Sequence, residues 1–231
     1  MHGRDLLRLL HTADLHLGSD TSPERSLQGL RAVEGATRRL SVDVLLIAGD
    51  LFDTGAVPAE TLTLAFNVLG SLPVPVVVLP GNHDTILLPP RLQQNELPAN
   101  VRLLVKPEGE LAVLESLGLS IWGRAVYEHS PTFRPLQGLP KRPPEGWYIA
   151  MAHGAFTGAM ATGQSSPIIR SELAAADCDY VALGHVHTFR DVSCGGPPAF
   201  YCGSPWEPWG KAAALVTLNP HGSVSVESVP L

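Results

Sequence analysis

Asp14 with His16, Asp50 with Asp53, Asn82 with His83 and Asp84, His153, and His185 with His187 are oxygen and nitrogen donors set in small groups along a 231-residue chain. Each group follows a short aliphatic run: Leu6 to Thr12, Val42 to Ile47, Val74 to Leu79, Trp147 to Ala152 and Tyr180 to Leu183. Runs of that length, rich in β-branched residues, read as strands buried on both faces. Ligands gather beyond the carboxyl ends of strands in open α/β sheets. A carboxylate there is placed to act, whereas one in mid-strand would be buried without a partner. Alone, a pair such as Gly49-Asp50 is ordinarily a turn, because Gly takes positive φ and Asp bonds its own backbone. The recurrence of the arrangement at five strand ends is what points to shared chemistry.

Carboxylate and amide oxygens mixed with imidazoles, and no thiolate, suit two first-row divalent cations such as Mn, Fe or Zn better than a structural zinc. Two ions roughly 3.5–4 Å apart clamp phosphorus for in-line displacement. Asp50 is the natural bridge, since a carboxylate can give one oxygen to each ion. Asp14 and His16 stand two apart, so in an extended or gently turning backbone both can face one side of the strand tip. His185 and His187 repeat that spacing. Single histidines elsewhere, His2, His11, His129 and His221, read as core or surface residues.

Between the strands, Pro23 after Ser22 opens a helix, with Ser22 as its N-cap and Leu27, Leu30, Val33 and Leu40 at helical spacing. A second helix runs from about Pro58 to Leu69, with Leu62, Ala65, Phe66 and Leu69 inward. This alternation predicts parallel strands with right-handed helical crossovers. From Pro89 to Pro144 the texture turns to prolines and short strands: Val101 to Val105, then a hairpin of Leu111 to Leu114 with Leu119 to Trp122. Arg124, Tyr127 and His129 read as a surface loop, with lining a substrate cleft as the alternative. The Gly-rich stretch Thr157 to Pro167 reads as a mobile loop, Ser171 to Ala176 as a short helix. A loop with Trp206 and Trp209 follows Phe200 to Cys202, and Ala212 to Leu218 pairs with Val224 to Val229 as a closing hairpin.

With 45% hydrophobic residues, the chain can fill a core, and one domain over 1–231 is the expectation. No apolar run approaches the roughly 20 residues of a membrane span, and no signal-peptide pattern is present, so a cytoplasmic protein with no membrane partner is expected. Cys178, Cys194 and Cys202 are odd in number and lack metal-ligand spacing. They read as reduced packing residues, with a Cys194–Cys202 hairpin disulfide left as the alternative. A formal charge of −6 argues against gripping long polyanions. Two bound divalent cations would offset four of those charges and make the site itself electropositive.

These residues carry a resemblance to the calcineurin-like metallophosphoesterases. The motifs of that superfamily stand here in order as Asp14-Leu15-His16, Gly49-Asp50-Leu51-Phe52-Asp53, Gly81-Asn82-His83-Asp84, the strand-end His153, and Gly184-His185-Val186-His187. The match runs from Leu9 to about Pro205. The resemblance implies an α/β fold of two mixed β-sheets packed as a sandwich flanked by helices. It implies one metal held by Asp14, His16, Asp50 and His187, and another by Asp50, Asn82, His153 and His185, most readily Mn. It also implies that His83 protonates the leaving oxygen, that Asp84 orients His83, and that Asp53 orients a ligand or His83 from behind. The attacking group would be a hydroxide between the ions.

Within the superfamily, His11-Thr12-Ala13-Asp14-Leu15-His16-Leu17-Gly18 and Tyr201-Cys202-Gly203-Ser204-Pro205 are similar to the SbcD-type DNA-repair exonuclease branch. Those nucleases continue into a capping domain that grips DNA and a tail that docks on an ABC-type ATPase. This chain stops a short hairpin after Pro205, so that partnership is not expected of it. The leading reading is a metal-dependent phosphodiesterase on nucleic acid or a nucleotide-sized diester. A phosphatase on small phosphomonoesters or phosphoproteins is the alternative, and a non-catalytic interaction scaffold comes third.

Overall fold

Strands β1 (Leu7–Thr12) and β2 (Val44–Ala48) are parallel neighbours, and β2 is buried along its whole length. Its residues alternate between two cores: Leu45 and Ile47 pack towards helices, Val44, Leu46 and Ala48 towards a second sheet. Because each face meets an apolar partner, the sequence reads as a continuous aliphatic run rather than an alternation. Helix α1 (Pro23–Arg39) connects the two strands. Glu24 in its first turn and Arg38 and Arg39 in its last complement the helix dipole. Helix α2 (Ala59–Gly70) leads from β2 to β3 (Val76–Leu79), and Ala65, Phe66, Val68 and Leu69 face inward. β4 (Val101–Leu103) continues the parallel set beside β3.

A computed structural model supplies these coordinates and describes residues 5–19, 23–92, 96–158, 164–206 and 211–231. Ser22, His2, Trp209 and the centre of the 157–167 stretch lie outside the described residues.

The second half forms another sheet from β5 (Glu110–Leu114), β6 (Leu119–Gly123) and β7 (Trp147–His153) onward. β8 (Ala155–Thr157) and β9 (Pro167–Ile169) make a separate parallel pair, followed by the short α3 (Arg170–Ala174). β10 (Tyr180–Gly184), β11 (Phe189–Asp191) and β12 (Ala199–Cys202) complete the second sheet, before β13 (Ala212–Leu218) and β14 (Val224–Pro230) return to the first. Among the described residues the orders are β14-β13-β1-β2-β3-β4 and β11-β12-β10-β7-β6-β5. β13 runs antiparallel to β1, and β5 antiparallel to β6, so both sheets are mixed. The sandwich interior holds Leu9, Leu46, Val77 and Leu79 against Ile121, Ile149, Met151 and Ala182.

Two expectations change. The Gly-rich stretch is strand at both of its ends, since Thr157 closes β8 and Pro167 opens β9, which pair in parallel. The β2 run starts at Val44 rather than Val42, because Ser41 takes φ 48 and the turn consumes the residues before it. The three cysteines are free, as the leading reading has it, and the alternative disulfide is not formed: the Cys194 thiol faces the Arg170 carbonyl while Cys202 is buried beside Leu183.

His11, on the inner face of β1, is fully buried with Nδ1 2.9 Å from the Tyr180 hydroxyl of the other sheet. Burial pushes its pKa from 6.5 down to about 3, so it stays neutral in the fold. An unfolded chain takes up that proton as pH falls through 6.5 and the folded one does not, so stability is full above 6.5 and declines below it. In the chelated protein, denaturant unfolding should show wild type losing ground to His11→Gln by up to about 1.4 kcal/mol per pH unit between pH 6.5 and 4. Parallel stability curves would mean that His11 is charged in the fold.

Candidate metal centre

Asp14 (φ 55), His16 (φ 49), Asp50 (φ 52) and His185 (φ 96) all take the left-handed backbone region. Such residues cost about 1–3 kcal/mol each and persist where surrounding bonds over-determine them. Here the chains leaving β1 and β2 are laced together. Asp14 N donates to Gly49 O at 2.9 Å, His16 N to Asp50 O at 3.0 Å, Leu17 N to Leu51 O at 2.9 Å and Asp53 N to Leu17 O at 3.1 Å. The Asp14 carbonyl also accepts from Ser204 Oγ at 2.8 Å and Trp206 Nε1 at 3.1 Å.

Strand ends of both sheets therefore meet at one place. Asp14, His16 and Asp50 arrive from β1 and β2, Asn82 and His83 from β3, His153 from β7, and His185 and His187 from β10. Donor atoms of Asp14, His16 and His187 lie within 4.8 Å of one another, as do those of Asp50, His153 and His185. Asn82 Oδ1 stands 3.1 Å from His153 Nε2, beside the second group. A third grouping, His16, Asp50 and His83, overlaps the first two. The floor is buried: Asp14 and His153 are 0% exposed, Asp50 2% and His16 6%. Asn82, His185 and His187 are half-buried above it, and His83 is exposed.

His153 donates Nδ1–H to Ala48 O at 2.9 Å, which turns Nε2 towards Asp50 Oδ2 at 3.2 Å. Asp50 Oδ1 accepts from His83 N at 3.0 Å. Asp14 accepts from His185 N at 3.1 and 3.0 Å. Burial alone would raise Asp50, but the charge and hydrogen bond of His153 hold it well below the ordinary carboxylate range. Burial would lower His153, and Asp50 lifts it instead. Burial, joined by the Asp50 charge, pushes Asp14 up despite the pull of His153. Burial, with His153 nearby, pushes His185 down to about 4.

His83 Nδ1 donates to the Asp53 carbonyl at 2.6 Å. The Asp53 carboxylate turns the other way, with Oδ1 2.9 Å from His16 Nδ1. Asp84 does not orient His83, contrary to expectation. It is fully buried, and its carboxylate accepts from Leu51 N at 3.2 Å, Phe52 N at 2.8 Å and Gly81 N at 2.9 Å. It ties the β3 turn to the β2 turn, so its effect on His83 passes through backbone.

Gly81 is required by this crowding. A Cβ there would collide with Oδ1 and the backbone N of Asp50, so any larger residue displaces the Asp50 carboxylate. At Gly184 a Cβ would run into Ala48 O and the His153 ring.

His16 tests whether the cluster suits cations. Both of its ring nitrogens are buried without a hydrogen-bond partner, since Asp53 lies close to Nδ1 but out of line. An unpaired buried imidazole is costly, and a ligand at Nε2 would satisfy it. Two carboxylates, an amide oxygen and imidazoles are the donor set of divalent first-row ions. The residues fit such ions, and Asp50 stands in two of the three groupings.

Sequence reasoning missed the bracing of Asp14 by Ser204 and Trp206 and the clamp made by Asp84. Neither residue type nor spacing announces a contact to a main-chain atom 190 positions away.

A family profile described as calcineurin-like phosphoesterase matches residues 7–189. The DNA double-strand break repair protein Mre11 of Methanopyrus kandleri is 30% identical over 86% of this chain and 49% of its own length. The SbcD component of the nuclease SbcCD of Bacillus subtilis is 27% identical over 86% of this chain and 61% of its own. The chain thus spans about half to three fifths of the length of these relatives. Among solved structures, TT1561 of Thermus thermophilus superposes with a TM-score of 0.61 at 11% identity, covering 97% of this chain and 99% of that one, a likeness of fold alone.

Proposed function

Because this chain belongs to the calcineurin-like phosphoesterase family, we propose that it is a metal-dependent phosphodiesterase that cleaves nucleic acid or a nucleotide-sized diester. The observation that carries the reading is the meeting of two donor groups, Asp14, His16, His187 and Asp50, His153, His185, at one place between the sheets. Asp14, His16, Asp50 and His187 would hold one divalent ion, and Asp50, Asn82, His153 and His185 the second, with Mn the first choice and Fe or Zn the alternatives. When bound, such a pair would neutralise phosphoryl charge and supply a water-derived nucleophile.

The rest is done by this chain. Left-handed backbone at Asp14, His16 and Asp50 turns their carboxylates and imidazole into one pocket, and the buried floor keeps them from wandering. Asp53 stands beside two histidines at once: its carbonyl accepts from His83 Nδ1, and its carboxylate places a negative charge 2.9 Å from His16 Nδ1. With Nδ1–H given to Asp53 O, the Nε2 of His83 is left for the substrate, and in its protonated form it can hand a proton to the departing oxygen. Asp84 is assigned to holding the turn that carries Asn82 and His83. The names of the repair and nuclease relatives favour a phosphodiester substrate. Among the described residues no helix is long and apolar enough to cross a membrane, which fits the cytoplasmic site of action we propose.

Bis-p-nitrophenyl phosphate, p-nitrophenyl phosphate and labelled single-stranded DNA, each assayed with Mn and with chelator, test this reading. Turnover of the diester and DNA with Mn, abolished by chelator, is expected. Preference for the monoester, or silence with Mn, Fe and Zn alike, would overturn it.

A further inference from the structure

We infer that His129 is a substrate-binding residue, donating a hydrogen bond from Nε2 to a phosphoryl oxygen at the outer edge of the Asp50, His153, His185 group. The residue sits on the segment between β6 and β7, where sequence reasoning favoured a surface loop. Its two companions there spend their polar atoms on bracing. Tyr127 donates its hydroxyl to Val105 O at 2.7 Å. Arg124 donates to Pro107 O at 2.7 Å and Arg134 O at 3.1 Å while stacking on Phe133. Val126 N donates to Pro80 O at 3.1 Å, which ties the loop to the turn that bears Asn82 and His83.

His129 is exposed, and its ring centroid lies 5.7 Å from that of His185. Its Nδ1 is 3.3 Å from Ser166 Oγ. Ser166 is fully buried, takes φ 49, and donates its N–H to Ser130 O at 2.8 Å while its carbonyl accepts from Ala155 N. This pins the loop to the chain just past His153. With Ser166 Oγ–H donating to Nδ1, the imidazole proton sits on Nε2, which is left for a ligand. Another exposed imidazole of the site, His83, lies 5.0 Å from His16, a residue of the other donor group. An exposed imidazole thus stands beside a member of each donor group. An in-line displacement at phosphorus needs contacts on both sides of the group being transferred. His83 attends the leaving oxygen, and His129 is free to hold a non-bridging one.

As a contact to a substrate diester the assignment rests on the phosphodiesterase reading proposed above; as a contact to a phosphoryl oxygen it is tested apart from it. The test compares Mn-loaded wild type, His129→Ala and His129→Gln in bis-p-nitrophenyl phosphate kinetics and in inorganic phosphate binding by calorimetry. In His129→Ala, KM and the phosphate Kd should both rise about 10- to 100-fold, the range for a hydrogen bond to a charged group. kcat should move less than about twofold and bound Mn should stay the same. His129→Gln, which keeps a donor, should recover much of the loss. Unchanged KM and phosphate affinity, or loss of Mn, would overturn the assignment. If wild type hydrolyses no ester, the phosphodiesterase reading falls, and the phosphate comparison still decides His129.

Discussion

His83→Ala should lower turnover of the diester substrates by about 10²- to 10⁴-fold, the span of a lost general acid, while the amount of bound metal stays the same. His83 is exposed, and its ring is held from behind by the Asp53 carbonyl, so its Nε2 is available to substrate. Yet His83 also lies within reach of His16 and Asp50, in a grouping that could itself grip a cation. Metal content separates the two roles. A general acid can be removed without touching the ligands, and only the reaction suffers. Substrates with better leaving groups, which need no proton, should be rescued most. If His83→Ala instead sheds an ion, the histidine is a ligand and some other group donates the proton.

Asp50→Asn should have the larger structural consequence: metal content falls to one ion per chain or fewer, and turnover drops by about 10³-fold or more, the loss of several kcal/mol of charge stabilisation. The carboxylate is 2% exposed, accepts from His83 N, and faces His153 Nε2 at 3.2 Å. An amide keeps the shape and loses the charge. In the chelated protein His153 would lose the charge that lifts it, and breaking a buried pair costs about 3–5 kcal/mol. Melting of the chelated variant well below chelated wild type is therefore expected alongside the lost metal. Equal melting temperatures and two bound ions would show that Asp50 is not shared.

How much of this was legible in the sequence follows from which interactions are local. Strand β2 could be read because Val44 to Ala48 are aliphatic on both faces, and its end because Gly49-Asp50 cannot continue it. The donor residues could be read because each stands immediately after such a run. Their meeting is another matter: β2 and β7 lie in different sheets, and the His153 to Ala48 bond spans 105 positions. It was anticipated by the recurrence of donors at five strand ends and by the motif resemblance, not by any local pattern. Asp84 shows the limit from the other side, since a carboxylate next to a histidine in sequence turned out to face three backbone N–H groups instead. The mixed architecture of the sheets was foreseen by the resemblance alone. The β8–β9 pairing was not, because a three-residue parallel pair leaves no periodicity in a Gly-rich stretch.

The most direct test is anomalous diffraction from a crystal soaked in Mn. Two peaks are predicted, roughly 3.5–4 Å apart, one beside Asp14, His16 and His187, the other beside Asn82, His153 and His185, and each touched by an Asp50 oxygen. A single peak, or two with Asp50 outside both, would contradict the account.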